Sequence, residues 1–253
     1  MKAIVTYILL TAFRDRLFFG LLVAVYVATA ICIFLGGLPL LENRESAVSY
    51  MAAAIRIIGI IGMVVFACFH VRQAFENKEI DVFVTRPLRR SQLVVAYALG
   101  FVVVSLVFIS IAALPVVWYS YEQWQGLLAW MGSLILEQAL IITFALFAAF
   151  TFSSATLAVI TTLGIYTLCR MSAYFMFMVE NMRSRSEGVM EWMGNFLYWI
   201  SMMFPRFDYF APSRWLVYGL ENSTALLLAI TQVAIYFPLL LTATILDFRK
   251  RQF

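Results

Sequence analysis

Leu17-Phe18-Phe19-Gly20-Leu21-Leu22-Val23-Ala24-Val25-Tyr26-Val27-Ala28-Thr29-Ala30-Ile31-Cys32-Ile33-Phe34-Leu35-Gly36-Gly37 runs for 21 residues without a charge. A helix of that length rises about 30 Å, the thickness of a bilayer's hydrocarbon core. Ala28-Thr29-Ala30 has the form of a signal-peptide cleavage site. The apolar run continues past it to Leu35, so it reads as an uncleaved span. Comparable runs cover about 53–71, 92–117, 127–152, 155–178 and 225–246. The composition agrees: 64% of the 253 residues are apolar and 13% charged, where a soluble domain is roughly half apolar and a quarter charged. The expected architecture is therefore all-α: one polytopic membrane domain of six transmembrane helices over 1–253, with little chain left for a soluble domain.

The connecting stretches qualify this frame. Residues 1–16 set Lys2, Arg14 and Arg16 around Ile4, Tyr7, Ile8, Leu9 and Phe13, a pattern suited to an interfacial helix at the membrane surface. Leu38 to Ala52 reads as a short polar connection. Trp118, Tyr119, Tyr121 and Trp124 follow the third span as a headgroup-level aromatic cluster. Thr151 to Ser154 leaves only a tight turn between spans four and five. Within the loop at 180–223, the apolar piece from Val189 to Phe204 is too short for a comfortable span and suits a re-entrant or interfacial helix.

Placing both termini and the loops after spans two and four on one side gathers Lys2, Arg14, Arg16, Arg72, Lys78, Arg86, Arg89, Arg90, Arg249, Lys250 and Arg251 there. The other side holds Arg44, Arg183, Arg185, Arg206 and Arg214 among a surplus of acids. By the positive-inside rule the richer side is cytoplasmic, in an inner membrane. A seventh span at 189–204 would move the basic tail outside, so the pattern favours six.

The segment from Arg72 to Arg90 carries the densest charge. Ala74 to Thr85 can form a short helix with Phe75, Val82 and Phe83 as apolar contacts. Glu76, Lys78, Glu79 and Asp81 lie on its polar surface. Pro87 stops it and biases Arg86 towards extended backbone. Such a helix suits docking by a soluble partner; a solvated loop whose cations only set topology reads equally well from the pattern.

The run Phe75-Glu76-Asn77-Lys78-Glu79-Ile80-Asp81-Val82-Phe83-Val84-Thr85-Arg86-Pro87-Leu88-Arg89-Arg90-Ser91-Gln92-Leu93 resembles the corresponding loop of ABC-2 type transporter permeases. Phe204-Pro205-Arg206-Phe207-Asp208-Tyr209-Phe210, with Trp215-Leu216-Val217-Tyr218-Gly219, is similar to the loop before the last span in one branch of that family. The tail Asp247-Phe248-Arg249-Lys250-Arg251-Gln252-Phe253 resembles its basic ending. Many members carry Gly-Lys early in span three, where this chain has Val95-Ala96-Tyr97-Ala98, leaving Gly100 as the small residue.

The resemblance implies a coupling helix that docks on a separate ATPase subunit through Glu76, Glu79, Asp81, Val82 and Phe83, with Phe75, Lys78 and Arg86 in the same run. Thr85, Pro87 and Arg90 would form the turn into span three. It further implies two permease subunits, as a homodimer, with two ATPase subunits that supply ATP and magnesium. No Gly-x-x-x-x-Gly-Lys-Ser/Thr run is present, so ATP hydrolysis is expected in the partner rather than in this chain.

Arg56, Glu137 and Arg170 fall inside apolar runs, in the outer half of the bilayer by position. Charges at depth cost at least ~2.5–3.5 kcal/mol on insertion scales and face protein or a wet cavity. Glu137 with Arg170 is the expected pair, with Arg56 nearer the surface, either along a translocation path or as a structural lock. Eight of the 12 methionines lie between Met171 and Met203. Thioethers can hold Cu(I), but adaptable apolar packing is the favoured reading and no metal is expected. His70 reads as an interfacial hydrogen-bonding residue. Cys32, Cys68 and Cys169, all in apolar runs, read as small hydrophobes.

The function expected from these readings is an exporter permease moving a lipid, lipid-linked glycan, peptide or hydrophobic drug. The alternatives are an intramembrane lipid-modifying enzyme, for which no Asp/Glu/His/Arg cluster is evident at a membrane surface, and a non-transporting assembly subunit. Membrane lipid is an expected partner and nucleic acid is not.

Overall fold

A computed structural model describes residues 2–37, 43–77, 90–120, 123–183, 192, 199, 205–220 and 223–250. Among them every regular element is helical: α1 (Lys2–Arg14), α2 (Arg16–Gly36), α3 (Asn43–Glu76), α4 (Arg90–Ala112), α5 (Leu114–Tyr119), α6 (Trp124–Thr151), α7 (Ala155–Arg183), a 3-10 turn (Phe207–Tyr209), α8 (Arg214–Tyr218) and α9 (Thr224–Lys250). Five helices, α2, α3, α4, α6 and α9, are long and apolar enough to cross a membrane; α7 contributes a shorter apolar stretch, Ala155–Met171. The expected spans at 17–37, 127–152 and 225–246 each coincide closely with a helix, while 92–117 is divided at Ala113 between α4 and α5. The piece at 189–204 lies outside the described residues except for Trp192 and Trp199.

Helix α3 differs most from expectation. It starts at Asn43 and lasts 34 residues, so most of the stretch read as a polar connection is helical. Ala47, Val48, Met51, Ala52 and Ile55 are all buried. Their spacing of one, three and four residues marks one helical face, and Glu45 in the first turn suits the positive end of the helix dipole. Gly36 at the end of α2 packs directly against Ala47, which joins the two helices at that end.

Helix α1 forms as expected, yet its apolar face meets protein. Ile4, Ile8 and Ala12 are buried, four residues apart along one stripe, and α1 packs on α4. Gly100 of α4 makes this possible, because a Cβ there would lie 2.7 Å from Ile8 Cδ1. Asp15 then ends α1 and accepts a 3.0 Å hydrogen bond from the Leu17 backbone N–H, capping α2.

Helix α6 is the centre of the bundle. It contacts α3, α4, α7, α8 and α9, and 72% of its most apolar window is buried, against 22% for α2 and 17% for α9. The outer helices therefore keep wide apolar faces on the surface, as lipid-facing helices do.

Ring packing defines one end of the bundle. Phe150 of α6 packs edge-on against Phe75 of α3 (centroids 5.5 Å apart), Tyr97 of α4 (6.4 Å) and Phe248 of α9 (5.2 Å). Tyr7 of α1 lies 6.3 Å from His70 of α3 at the same end, so both described termini share it. At the opposite end Arg44 Nε donates to the Tyr119 carbonyl (2.8 Å) and Ser120 Oγ to the Leu216 carbonyl (2.7 Å). Pro115 near the start of α5 interrupts the run that began in α4, since it has no N–H to continue the ladder. Trp118 and Trp124 flank this end and are exposed, the placement of an interfacial belt.

Candidate functional site

Three helices and one irregular segment converge on Glu137. Its side chain is fully buried in α6. Arg56 of α3 brings Nε to 3.3 Å from Oε2, held by charge rather than by an aligned hydrogen bond. Arg170 of α7 donates from Nη1 to Oε1 at 3.2 Å, and Tyr166, one turn earlier on α7, donates its hydroxyl to the same oxygen at 3.1 Å. The expected Glu137–Arg170 pair is present. The expectation that Arg56 stands apart is corrected: it is the second cation on the same carboxylate.

The two arginines also hold the segment before the last helix. Arg56 Nη2 donates to the Phe210 carbonyl at 3.2 Å, and Arg170 Nη1 donates to the Phe207 carbonyl. Residues 205–213 form no α-helix; the Phe207 carbonyl takes the guanidinium alongside the Phe210 N–H of the 3-10 turn (3.3 Å), since a carbonyl oxygen has two lone pairs. Guanidinium, with five donors and a fixed plane, can bridge a carboxylate and a carbonyl together. Phe207 and Phe210 are buried beside the cluster, with Tyr166 stacked edge-on 5.2 Å from Phe207.

One turn before Glu137, Ser133 accepts a 2.8 Å hydrogen bond from the Ala211 backbone N–H. Ala211 has φ 44°, in the region that side chains other than glycine disfavour. This buried bond helps hold that backbone. The segment is anchored further by Arg206, whose backbone N–H donates to Gln232 Oε1 of α9 (2.9 Å). The Arg206 guanidinium makes two bonds to Asp208, at 3.3 and 2.9 Å, and lies over the Tyr209 ring. Burial works against the Arg206 charge, but the hydrogen bond and charge of Asp208 outweigh it and raise Arg206 above its ordinary pKa. At α8, Gly126 of α6 sits so tightly against the Trp215 carbonyl that a side chain there has no room.

The sequence reading missed Tyr166, Ser133 and the carbonyls of Phe207 and Phe210. Two of these had a local signal, since Ser133 and Glu137 lie four apart on α6, as Tyr166 and Arg170 do on α7. The carbonyls had none, because main-chain acceptors do not depend on side-chain identity.

Of the docking residues, Phe75 and Glu76 end α3. Phe75 is half-buried against Phe150 with the Arg72 guanidinium 5.6 Å from its ring centre, while Glu76 is exposed. Lys78, Glu79, Asp81, Val82, Phe83, Thr85, Arg86 and Pro87 lie outside the described residues. Arg90 begins α4. His70 is ringed by Tyr7, Phe66, Tyr97 and Phe101 and borders an open cavity of about 340 Å³ with Thr11, Arg14, Asp15 and Gln73. The three cysteines are buried and form no disulfide with one another. Among the described residues no group of three His, Cys, Asp or Glu side chains could hold a metal. Most of the methionine-rich stretch has no described side chains.

The arrangement has the properties of a lock: two cations on one buried carboxylate tie α3, α6 and α7 together, and their remaining reach pins a non-helical segment across them. No protein-family model matches the chain, and a search of curated proteins returns no match.

Proposed function

We propose that the chain is the transmembrane permease subunit of an ABC-2 type exporter, with six spans and both termini in the cytoplasm. In this reading two copies form the path, and two separate ATPase subunits dock on the segment between α3 and α4. The observation that carries it is the run from Phe75 to Leu93, with its acidic start, apolar step and Thr-x-Pro-x-x-Arg exit (Thr85, Pro87, Arg90).

Three structural features support the reading. Helices α3 and α4 flank that run, and Glu76 at the end of α3 is exposed and available to a partner. Phe75 is packed into the ring cluster that joins α3, α4, α6 and α9, so a force on the segment would reach four helices. The basic residues Arg14, Arg72 and Arg249 belong to the same end of the bundle, as the positive-inside rule requires of a cytoplasmic face.

The test is purification of the tagged chain in mild detergent, identification of bound proteins and measurement of ATP turnover. The expected result is a co-purifying ATP-binding cassette subunit that is lost when Glu76→Lys is combined with Glu79→Lys, with the chain's own melting temperature unchanged. Absence of such a subunit, or its indifference to the double charge reversal, would overturn the proposal.

A further inference from the structure

The Glu137 cluster holds two arginines and one carboxylate, leaving one surplus positive charge. Arg206 and Asp208, in the segment that Arg170 holds, pair with each other. The two arginines are not equivalent. The Arg56 side chain is 12% exposed and the Arg170 side chain 27%. Arg170 spends only Nη1, on Glu137 and the Phe207 carbonyl; its Nε and Nη2 have no hydrogen-bond partner among the described residues. Donors on that unused part of a guanidinium suit an oxyanion, which can take two parallel bonds.

The surroundings define what carries that oxyanion. Thr167, Leu163 and Ile160 follow Arg170 along nearly the same side of α7, at steps of three or four residues. Thr167 is exposed, Leu163 half-buried and Ile160 66% exposed. From Arg170 to Ile160 the helix rises ~15 Å, about half the hydrocarbon thickness of a bilayer and hence one leaflet. No charged residue interrupts the stripe. A cation with free donors at the head of a leaflet-long apolar stripe matches an amphiphile, with its anionic head on Arg170 and its chain along α7.

We infer that Arg170 and the Thr167–Leu163–Ile160 stripe form a binding site for the oxyanion head and hydrocarbon chain of a lipid-like molecule. The surplus charge is the electrostatic reason for it: an anion brings the cluster to neutrality without breaking the Glu137 contacts. The site goes beyond the permease reading and is independent of it, because binding requires only this chain.

The experiment is native mass spectrometry of the purified chain with added phosphatidate, and with diacylglycerol of the same acyl chains, which lacks the phosphate. A charge-assisted hydrogen bond is worth ~1.5–3 kcal/mol, and 1.4 kcal/mol is tenfold in affinity. Phosphatidate is therefore expected to bind at least ~10-fold more tightly than diacylglycerol. Arg170→Gln removes that preference, Arg170→Lys keeps most of it, and Lys250→Gln, at the other end of the bundle, leaves it intact.

Should Arg170→Gln fail to fold, Thr167→Glu provides the second variant. It leaves the Glu137 contacts alone and sets a carboxylate one turn from the free donors, so it too removes the preference. Inorganic phosphate at equal concentration leaves the lipid bound; displacement by it would assign the site to a free anion and overturn the amphiphile. Undiminished phosphatidate preference in Arg170→Gln, or in Thr167→Glu, overturns the site.

Discussion

Glu137 and Arg56, 81 positions apart in the chain, stand 3.3 Å from each other inside the bundle, and Arg170 reaches the same carboxylate from the opposite helix at 3.2 Å. One acid thus neutralises parts of two cations that would otherwise repel. Removing the acid should be far worse than removing either cation.

Glu137→Gln leaves two guanidiniums facing an uncharged amide. Breaking a buried pair by deleting one partner costs ~3–5 kcal/mol. Thermal unfolding in detergent should show a large drop in melting temperature, exceeding that of Arg56→Gln or Arg170→Gln. A smaller effect than either arginine variant would contradict the shared-carboxylate geometry.

Exchanging the two charges, Glu137→Arg with Arg170→Glu, would rescue an isolated pair. Here the new guanidinium at position 137 would face Arg56 at ion-pair distance, and like charges that close repel by ~4 kcal/mol or more at an effective dielectric near 20. The double variant is expected to melt no higher than Glu137→Gln. Adding Arg56→Gln to it should recover stability, which a melting series over the three proteins would reveal.

Gly126→Ala tests how the segment after Arg206 is seated. A Cβ at Gly126 collides with the backbone of Trp215, which cannot swing aside as a side-chain tip can. A cost of ~1–3 kcal/mol is expected from overpacking, with faster proteolysis around α8. Gly164→Ala, whose Cβ meets nothing within 4 Å, should hold or gain up to ~1 kcal/mol from helix propensity.

Gln138 supplies a contrasting case next to Glu137. It is 1% exposed, and neither its Oε1 nor its Nε2 has a hydrogen-bond partner among the described residues. Leaving such atoms unpaired costs ~1–3 kcal/mol, so Gln138→Leu should keep or raise the melting temperature. Gln138→Glu should lower it sharply, because a second buried carboxylate, without a partner, would then stand beside Glu137 on α6.

Much of the fold was legible because membrane spans leave a signature in composition alone. The absence of charge across 17–37 and 225–246, and the single charge of Glu137 across 127–152, are enough to mark helices, since hydrocarbon tolerates backbone only when it is internally hydrogen-bonded. The start of α3 was not legible in the same way. Asn43, Arg44, Glu45 and Ser46 look like a loop, and the helix is built by Ala47, Val48 and Met51 packing against neighbours distant in sequence. The fate of α1 was likewise undecided: its amphipathic stripe suits a membrane surface, and only the gap left by Gly100 explains why Ile8 sits against protein.

The sequence by itself determined that Arg56, Glu137 and Arg170 would need partners, because each lies in an apolar run where an unpaired charge is expensive. It determined the turn at Thr151–Ser154, which follows from local chemistry. Only the tertiary structure decided that the three charges share one site, and that the carbonyls of Phe207 and Phe210 complete it. Those contacts join α3, α6, α7 and a segment with no regular pattern. Local sequence sets where a charge lies along its own helix, but the rotation of each helix about its axis is settled by packing against the others.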